Sequence, residues 1–133
     1  MPASIAPRFA PALVIAVALA GCAANPPAEN AVDEKAPAAT VVGEAVSCIP
    51  ITQIQSSRVR SDYTIDFEMS GGKVYRNTLP SKCSSLGFQR AFSYETSLSQ
   101  LCNTDIITVL DTSSRMTMGS CGLGEFVPVE YDK

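Results

Sequence analysis

The stretch Tyr63-Thr64-Ile65-Asp66-Phe67-Glu68-Met69 alternates apolar and polar residues without a break. A period of two residues is typical of a β-strand that buries one face and leaves the other in solvent. Ser70-Gly71-Gly72 follows, with glycines that tolerate a positive φ, and residues 73–79 alternate again. The two runs therefore predict an antiparallel β-hairpin with Asp66 on its solvent side.

The register of this hairpin follows from the pairs it would form across the two strands. A three-residue loop places Asp66 opposite Arg76. It also places Phe67 opposite Tyr75, whereas a two-residue loop would place Phe67 opposite Arg76. Opposite charges and facing aromatic rings stabilise neighbouring strands, so we expect the three-residue loop. A shift of one residue would turn every side chain to the other face.

Further short strands are predicted around the hairpin. The runs with strand character are residues 57–60, 91–96, 106–110 and 126–129. Residues 106–110 are apolar on both faces, as in a central strand, and Pro128 restricts the last run to a sheet edge. Ser97 begins a Ser-x-x-Gln sequence that either caps one helical turn or forms a plain turn. We therefore predict an all-β or β-rich domain of five to six strands, in a small antiparallel sheet curled into a barrel.

Cysteine usage predicts covalent cross-links. Of the five cysteines, one lies at the end of the N-terminal apolar run, which leaves an even number in a small exported domain. Such a remainder indicates two disulfides, formed by Cys48, Cys83, Cys102 and Cys121. No Cys-x-x-Cys pair is present, as a zinc site would require. Three pairings are possible, and our working hypothesis is Cys83–Cys102 with Cys48–Cys121.

The N-terminal residues 1–21 have the features of a secretory signal. One basic residue, Arg8, precedes an apolar run that is too short to span a bilayer. The run ends in Leu19-Ala20-Gly21-Cys22, which resembles the lipobox of bacterial lipoproteins. That resemblance implies cleavage before Cys22 and attachment of a diacylglyceryl group and a palmitate-type acyl chain to this residue, which anchors the chain in a membrane.

The residues after the lipobox predict a location and a tether. Ala23-Ala24 lacks the aspartate that retains lipoproteins at the inner membrane of enteric bacteria. The resemblance therefore favours the outer membrane with the domain facing the periplasm, and the inner membrane and the cell surface are the alternatives. Residues 22–44 are rich in alanine, proline and charge and bury too little apolar surface to fold, so we expect a disordered tether before a domain at residues 45–133.

Composition restricts the possible chemistry. The chain has no histidine, so neither a Ser-His-Asp triad nor a Cys-His pair can be built. The net charge of −3, which becomes −4 once Arg8 is removed with the signal, disfavours a nucleic-acid partner. We therefore expect no catalytic residue, no metal site, no cofactor and no enzymatic activity.

Two stretches suggest binding. Basic residues outnumber acidic ones between residues 58 and 90, and four of them form a candidate surface for an anionic envelope protein or glycan: Arg58, Arg60, Lys73 and Arg76. The simpler interpretation is a solvated outer face of the sheet. Separately, Ser70-Gly71-Gly72-Lys73-Val74-Tyr75 is similar to the Ser-Gly-x-x-Tyr loop of bacterial C-type lysozyme inhibitors, with the tyrosine one residue late.

Residues 48–129 resemble a family of uncharacterised lipoproteins, found mainly in proteobacteria, with a small four-cysteine β domain of unknown function. The matching stretches are Cys48-Ile49-Pro50, Ile65-Asp66-Phe67-Glu68-Met69, Gly72-Lys73-Val74-Tyr75, Asn77-Thr78-Leu79-Pro80, Leu101-Cys102, Asp105-Ile106-Ile107-Thr108-Val109 and Ser120-Cys121-Gly122-Leu123-Gly124. The resemblance implies an exported lipoprotein and assigns no activity. We expect a non-catalytic binding or structural module of the envelope, and the alternative is a lysozyme-inhibitor-like protein that blocks a cell-wall hydrolase.

Overall fold

The computed structural model describes residues 35–133, and in this range the chain forms ten β-strands and one α-helical turn. The predicted signal, the lipidation site Cys22 and residues 22–34 of the predicted tether lie outside the described residues. The strands form three antiparallel sheets, so the expected antiparallel β fold is confirmed. None of the three described sheets closes into a barrel.

The elements follow one another with short connections. In chain order the strands are β1 (Ala39–Val41), β2 (Cys48–Pro50), β3 (Ile54–Val59), β4 (Thr64–Met69), β5 (Val74–Thr78), β6 (Phe92–Tyr94), β7 (Gln100–Cys102), β8 (Ile106–Leu110), β9 (Thr117–Gly122) and β10 (Phe126–Tyr131). A 3-10 helix (Ile51–Gln53) precedes β3, and the helical turn α1 (Leu86–Gln89) precedes β6. The main sheet has the order β1-β10-β5-β4-β3, the small sheet has the order β6-β8-β9, and β2 pairs with β7.

The predicted hairpin is β4–β5, and its register is the expected one. Asp66 lies opposite Arg76. Phe67 lies opposite Tyr75, so the two aromatic side chains share one face of the main sheet. The register predicted from favourable cross-strand pairs is therefore confirmed.

The turn of the hairpin contains Gly71 and Gly72, as the sequence predicts. The N–H of Met69 donates to the carbonyl oxygen of Lys73 at 2.7 Å, which closes a three-residue loop. Gly71 and Gly72 have φ angles of 90° and 88°. Residues with a Cβ atom rarely adopt this conformation, so glycine is required by the backbone here.

Both faces of β4 are buried, which corrects the prediction that Asp66 points to solvent. Ile65 and Phe67 face the core and are fully buried, as the alternation predicts. Asp66 faces the other side and is also fully buried, because side chains from neighbouring strands cover it. Alternation along one strand identifies its two faces, but it carries no information on what covers the second face.

One apolar core connects all three sheets. Its aromatic centre is Phe67, whose ring centroid lies 6.4 Å from that of Phe92 and 5.5 Å from that of Phe126, both edge to face. Such pairs contribute about 0.5–1.5 kcal/mol beyond the area they bury. The main aliphatic members of the core are Ile49, Ile65, Met69, Leu79, Leu86, Leu101, Ile107, Val109 and Leu123.

A buried amide fixes the turn before β10. The side chain of Asn77 donates to the carbonyl oxygen of Gly124 at 2.6 Å and accepts from the Gly124 N–H at 2.9 Å. These two bonds satisfy a polar side chain that has no exposed surface. A Cβ atom on Gly124 would collide with the carbonyl oxygen of Thr78, so close packing requires glycine here.

The four cysteines that were predicted to form two disulfides do so, but the pairing we expected is wrong. Cys48 bonds to Cys102, and Cys83 bonds to Cys121. The reason is the pairing of β2 with β7, which places Cys48 directly opposite Cys102. Both strands are only three residues long, so their partnership was not visible in the sequence pattern.

The folded domain begins upstream of the predicted boundary at residue 45. Ala39–Val41 pair with the end of β10, where Ala39 lies opposite Tyr131. The hydroxyl group of Thr40 also donates to the Asp132 carboxylate at 2.7 Å. The predicted tether is thus shortened, because β1 satisfies backbone groups that would otherwise form an open edge of β10.

The helical turn lies in a different place from the one considered in the sequence. Residues 97–99 form a bend and β7 begins at Gln100, so the plain-turn alternative after Ser97 is confirmed. The helical turn is α1, which lies between β5 and β6. Within residues 35–133, no helix has the length and apolar character needed to cross a membrane.

We predict that limited reduction opens Cys48–Cys102 before Cys83–Cys121. Both cysteines of the Cys48–Cys102 bond are partly exposed, whereas in Cys83–Cys121 only Cys121 is partly exposed and Cys83 is fully buried. A reducing thiolate must reach a sulfur atom, so the exposed bond should react first. Alkylation of the released thiols and peptide mapping would identify the bond, and equal release from both bonds would contradict the prediction.

Candidate binding surface

The four basic residues predicted as a binding surface do not form one patch. Arg58, Arg60 and Arg76 lie near one another on the outer face of the main sheet, where each contacts an acidic side chain. Lys73 lies at the hairpin turn, with its ammonium nitrogen 4.9 Å from the ring centroid of Tyr75. Tyr75 packs against the core, so Lys73 is on the opposite side of the sheet from the arginines.

Arg60 and Arg76 both bind the buried carboxylate of Asp66. Nε of Arg60 donates to Oδ2 of Asp66 at 2.9 Å, and Nε of Arg76 donates to Oδ1 at 2.8 Å. The hydroxyl group of Tyr131 donates to Oδ2 at 3.0 Å. We call Asp66, Arg60, Arg76 and Tyr131 the Asp66 cluster. Its charge-assisted hydrogen bonds replace the water that a buried carboxylate has lost.

The Asp66 cluster lowers the pKa of its carboxyl group. Burial by itself raises the pKa of Asp66, but the hydrogen bonds from Arg76 and Arg60 outweigh it and hold the pKa below its ordinary value. Burial is also the largest influence on Tyr131, and it raises the pKa of that hydroxyl group. Asp66 is therefore ionised and Tyr131 is a neutral donor at neutral pH.

Arg58 is also paired. Its Nε donates to Oε1 of Glu68 at 2.6 Å, and the hydroxyl group of Ser56 donates to Oε2 at 2.7 Å. These hydrogen bonds, from Ser56 first and Arg58 second, lower the pKa of Glu68. Three of the four predicted basic groups are thus ion-paired on the outer face of the sheet, with Arg60 and Arg76 sharing one carboxylate. Counting charges along the chain did not reveal this pairing.

A different surface, which the sequence did not predict, exposes large apolar side chains. Phe88 on α1 is 87% exposed. Met116 and Met118, on the connection into β9 and on β9 itself, are 67% and 48% exposed. We use the name Phe88 surface for the set Phe88, Arg90, Arg115, Met116 and Met118.

Gln89 connects the two segments that carry the Phe88 surface. Its Oε1 accepts from both the N–H and the hydroxyl group of Thr112, each at 3.1 Å. Its Nε2 lies 3.3 Å from Oδ2 of Asp111 and 3.3 Å from the sulfur atom of Met118. Gln89 therefore ties α1, which carries Phe88, to the strand that carries Met118.

Asp111 holds the second of these segments in shape. Its Oδ1 accepts from the N–H groups of Ser114 and Ser113, each at 2.8 Å, and these bonds lower the pKa of Asp111. The N–H of Asp111 also donates to the carbonyl oxygen of Met116 at 2.8 Å. Residues 111–116 are therefore closed by internal hydrogen bonds.

Unfavourable backbone conformations are concentrated around the same unit. Within residues 35–133, the non-glycine residues with positive φ are Ser85 at 71°, Arg90 at 56° and Arg115 at 60°. Ser85 and Arg90 flank α1, and Arg115 lies in the loop that Asp111 closes. A left-handed conformation costs a non-glycine residue roughly 1–3 kcal/mol, and such residues cluster at functional sites.

The Phe88 surface also carries basic groups without acidic partners. Arg90 and Arg115 are both exposed, and neither forms an ion pair within the described residues. The carboxylate of Asp111, which is near them in the fold, is occupied by hydrogen bonds of its own loop. The surface therefore combines exposed apolar side chains with excess positive charge.

An open strand edge lies beside these side chains. β9 is at the end of the small sheet next to β8, and no other described strand pairs with its outer side. Its sequence, Thr117-Met118-Gly119-Ser120-Cys121-Gly122, contains neither a charged residue nor proline, which commonly protect such edges. A register shift between Val109 and Leu110 of β8 interrupts the regular pairing near the start of β9.

Comparisons of the chain with protein-family models, with curated proteins and with solved structures found no match. The similarity to proteobacterial lipoproteins therefore stays a prediction. Within residues 35–133, no group of three or more histidine, cysteine or acidic side chains is arranged to hold a metal ion.

We predict that Asp66→Asn lowers the free energy of unfolding at neutral pH by about 3–5 kcal/mol, because two arginines would then surround an uncharged group. The folded carboxyl group has a lowered pKa, so its contribution is present above its unfolded pKa of about 4 and is lost as the pH falls through the folded pKa. Asp66→Asn should therefore also reduce the loss of stability in acid. Urea unfolding at several pH values measures both effects.

Glu68→Gln is the matched control for this prediction. It removes a carboxylate from the same strand, but the Glu68 side chain is partly exposed, so we expect a loss of about 1 kcal/mol or less. If the two variants lost equal stability, the Asp66 cluster would not have the structural importance assigned to it.

Proposed function

We propose that this chain is a lipid-anchored protein of the bacterial cell envelope that acts by binding another macromolecule and has no catalytic activity. The anchor in this proposal is the lipidated Cys22, and the binding element is the folded domain. The observation that carries the proposal is the Phe88 surface, where one hydrogen-bonded unit holds large apolar side chains in solvent.

Exposed apolar side chains on this unit favour a binding role. Burying apolar surface is worth about 25 cal/mol per Å², so Phe88, Met116 and Met118 would gain from a partner that covers them. Single exposed apolar residues are common on protein surfaces, whereas a group of them with a polar rim marks an interaction site. The basic side chains Arg90 and Arg115 supply that rim.

The rest of the domain forms a cross-linked framework that carries this surface. Two disulfides and the Asp66 cluster hold strands that are distant along the chain. The absence of histidine removes the side chain that most often acts as a general acid or base at neutral pH. Both features fit a protein that presents a shaped surface.

The location in the proposal is the outer membrane, with the domain facing the periplasm. It rests on the lipobox Leu19-Ala20-Gly21-Cys22 and on the absence of aspartate in the following Ala23-Ala24. The expected exposure to an oxidising compartment agrees with the use of four cysteines in disulfides.

The lysozyme-inhibitor alternative receives no support from the hairpin that suggested it. The residues between Ser70 and Tyr75 form the tight turn of β4–β5. Tyr75 packs against the core, with Lys73 next to its ring, so this tyrosine does not project from a loop. We therefore propose a binding function without assigning a hydrolase as the partner.

We predict that Cys22→Ala releases the protein from the membrane, because the variant lacks the thiol that would carry the lipid. Fractionation of cells should find the wild-type protein in the membrane pellet and the variant in the soluble periplasmic extract. Ala23→Asp is the matched control, since it keeps the lipobox cysteine and should move the protein to the inner membrane in an enteric host. Retention of Cys22→Ala in the pellet would contradict the proposed anchor.

The binding function is tested by photo-crosslinking in intact cells. A photoreactive phenylalanine analogue at position 88 should give a discrete adduct, because that side chain is exposed on the proposed surface. The same analogue at Val41, an exposed side chain on the edge strand β1 of the main sheet, is the control and should give none. Equal labelling at both positions, or turnover of a peptidoglycan or lipid substrate by the purified protein, would overturn the proposal.

A further inference from the structure

We propose that β9 accepts an extended acidic segment of a partner protein as an added strand, and that the Phe88 surface contacts the side chains of that segment. This inference rests on the proposed binding function and adds the site, the mode of recognition and the chemistry of the partner.

The backbone of β9 provides the first argument. An edge strand carries a row of N–H and C=O groups that can pair with an extended segment of another chain. β3, the other six-residue edge strand in the described sheets, carries the charged residue Arg58. β3 and β9 each have one register shift near their start, so charge is what separates them. β9 has the same length and no charge. It is therefore the long described edge that is best suited to strand addition.

The apolar side chains next to this edge provide the second argument. Met118 lies on β9, and Met116 comes just before the strand. Methionine side chains are flexible and polarisable, so they adapt to partner side chains of different shape. Phe88 on α1 adds a large aromatic group. The contact of Gln89 with the Met118 sulfur places α1 beside β9.

Charge indicates the chemistry of the partner. Arg90 and Arg115 are exposed and form no ion pair within residues 35–133, whereas Arg58, Arg60 and Arg76 are all paired. A guanidinium group binds a carboxylate through two parallel hydrogen bonds. The chain as a whole is acidic, with a net charge of −3, so attraction of an acidic segment must come from this local group. An alternation of apolar and acidic residues is the sequence that fits both the edge and its arginines.

An anionic membrane surface shares part of this chemistry, since it would also attract arginines and apolar side chains. Binding of a lipid headgroup does not use the unpaired backbone groups of a strand edge, however. The position of the basic and apolar groups beside β9 therefore favours a polypeptide, and binding to a membrane becomes an outcome of the test.

The experiment is selection from a random library of short linear peptides displayed on phage, against the purified full-length protein in detergent. We expect enrichment of peptides that alternate apolar and acidic residues. The double variant Arg90→Glu with Arg115→Glu should bind these peptides at least about tenfold more weakly, a difference of about 1.4 kcal/mol, and should select basic peptides instead. Phe88→Ser with Met116→Ser should abolish the enrichment.

Matched controls separate recognition from folding. The four substituted side chains are exposed, so the thermal midpoint should stay unchanged. Val41→Ser changes an exposed apolar residue on β1, at the edge of the main sheet, and should leave the selection unaltered. Amide hydrogen exchange then tests strand addition directly, because a selected acidic peptide should slow exchange along Thr117–Gly122 and leave Ile54–Val59 unaffected.

Three outcomes would overturn the proposal. The first is the absence of any enriched peptide, and the second is enrichment that both double variants retain. The third is binding only to vesicles of phosphatidylethanolamine and phosphatidylglycerol, with loss in the arginine variant, which identifies a membrane-binding surface. If position 88 cross-links to a partner in cells while a selected peptide gives no protection of β9, the binding function stands and strand addition is wrong.

Discussion

A single carboxylate buried on the outer face of the main sheet constrains how its strands assemble. Asp66 lies on β4, and its donors come from β5, from the end of β10 and from Arg60 just after β3. Removing a carboxylate from water costs several kcal/mol, and this cost is offset only when the full set of donors is in place. Arg76 also donates to the carbonyl oxygen of Pro37, which ties the segment before β1 to the same group. Any other strand register would leave the charge buried without partners.

The β4–β5 hairpin was predictable because its determinants are local. Strict alternation, two glycines and complementary cross-strand pairs all lie within a short stretch of chain, and each is a property of residue type. The burial of Asp66 was not predictable in the same way, since Tyr131 lies 65 residues away along the chain. Tyr131 lies on β10, which was predicted to be an edge strand. The neighbour of β10 in the sheet, β1, was predicted to be part of the tether.

The disulfide pairing and the Phe88 surface could not be predicted for the same reason, since both depend on contacts between segments distant along the chain. Which cysteine faces Cys48 depends on the partnership of β2 and β7, two strands too short to show a period. The Phe88 surface depends on Gln89, whose contacts with Asp111 and Met118 join segments that the sequence presents as separate loops. Signals were present in the uncharged alternation Met116-Thr117-Met118 and in an aromatic residue within a loop, but neither indicates exposure by itself. The number of disulfides, in contrast, followed from the cysteine count once Cys22 was set aside for its position after the apolar run.

The two disulfides interleave along the chain, because Cys83 lies inside the loop closed by Cys48–Cys102 and Cys121 lies outside it. A single peptide-bond cleavage anywhere between residues 48 and 121 therefore leaves both fragments covalently joined by at least one bridge. The exposed loop at residues 111–116 is one such place, since Cys83–Cys121 spans it. A protease that cuts this loop once would therefore nick the domain without separating its two parts.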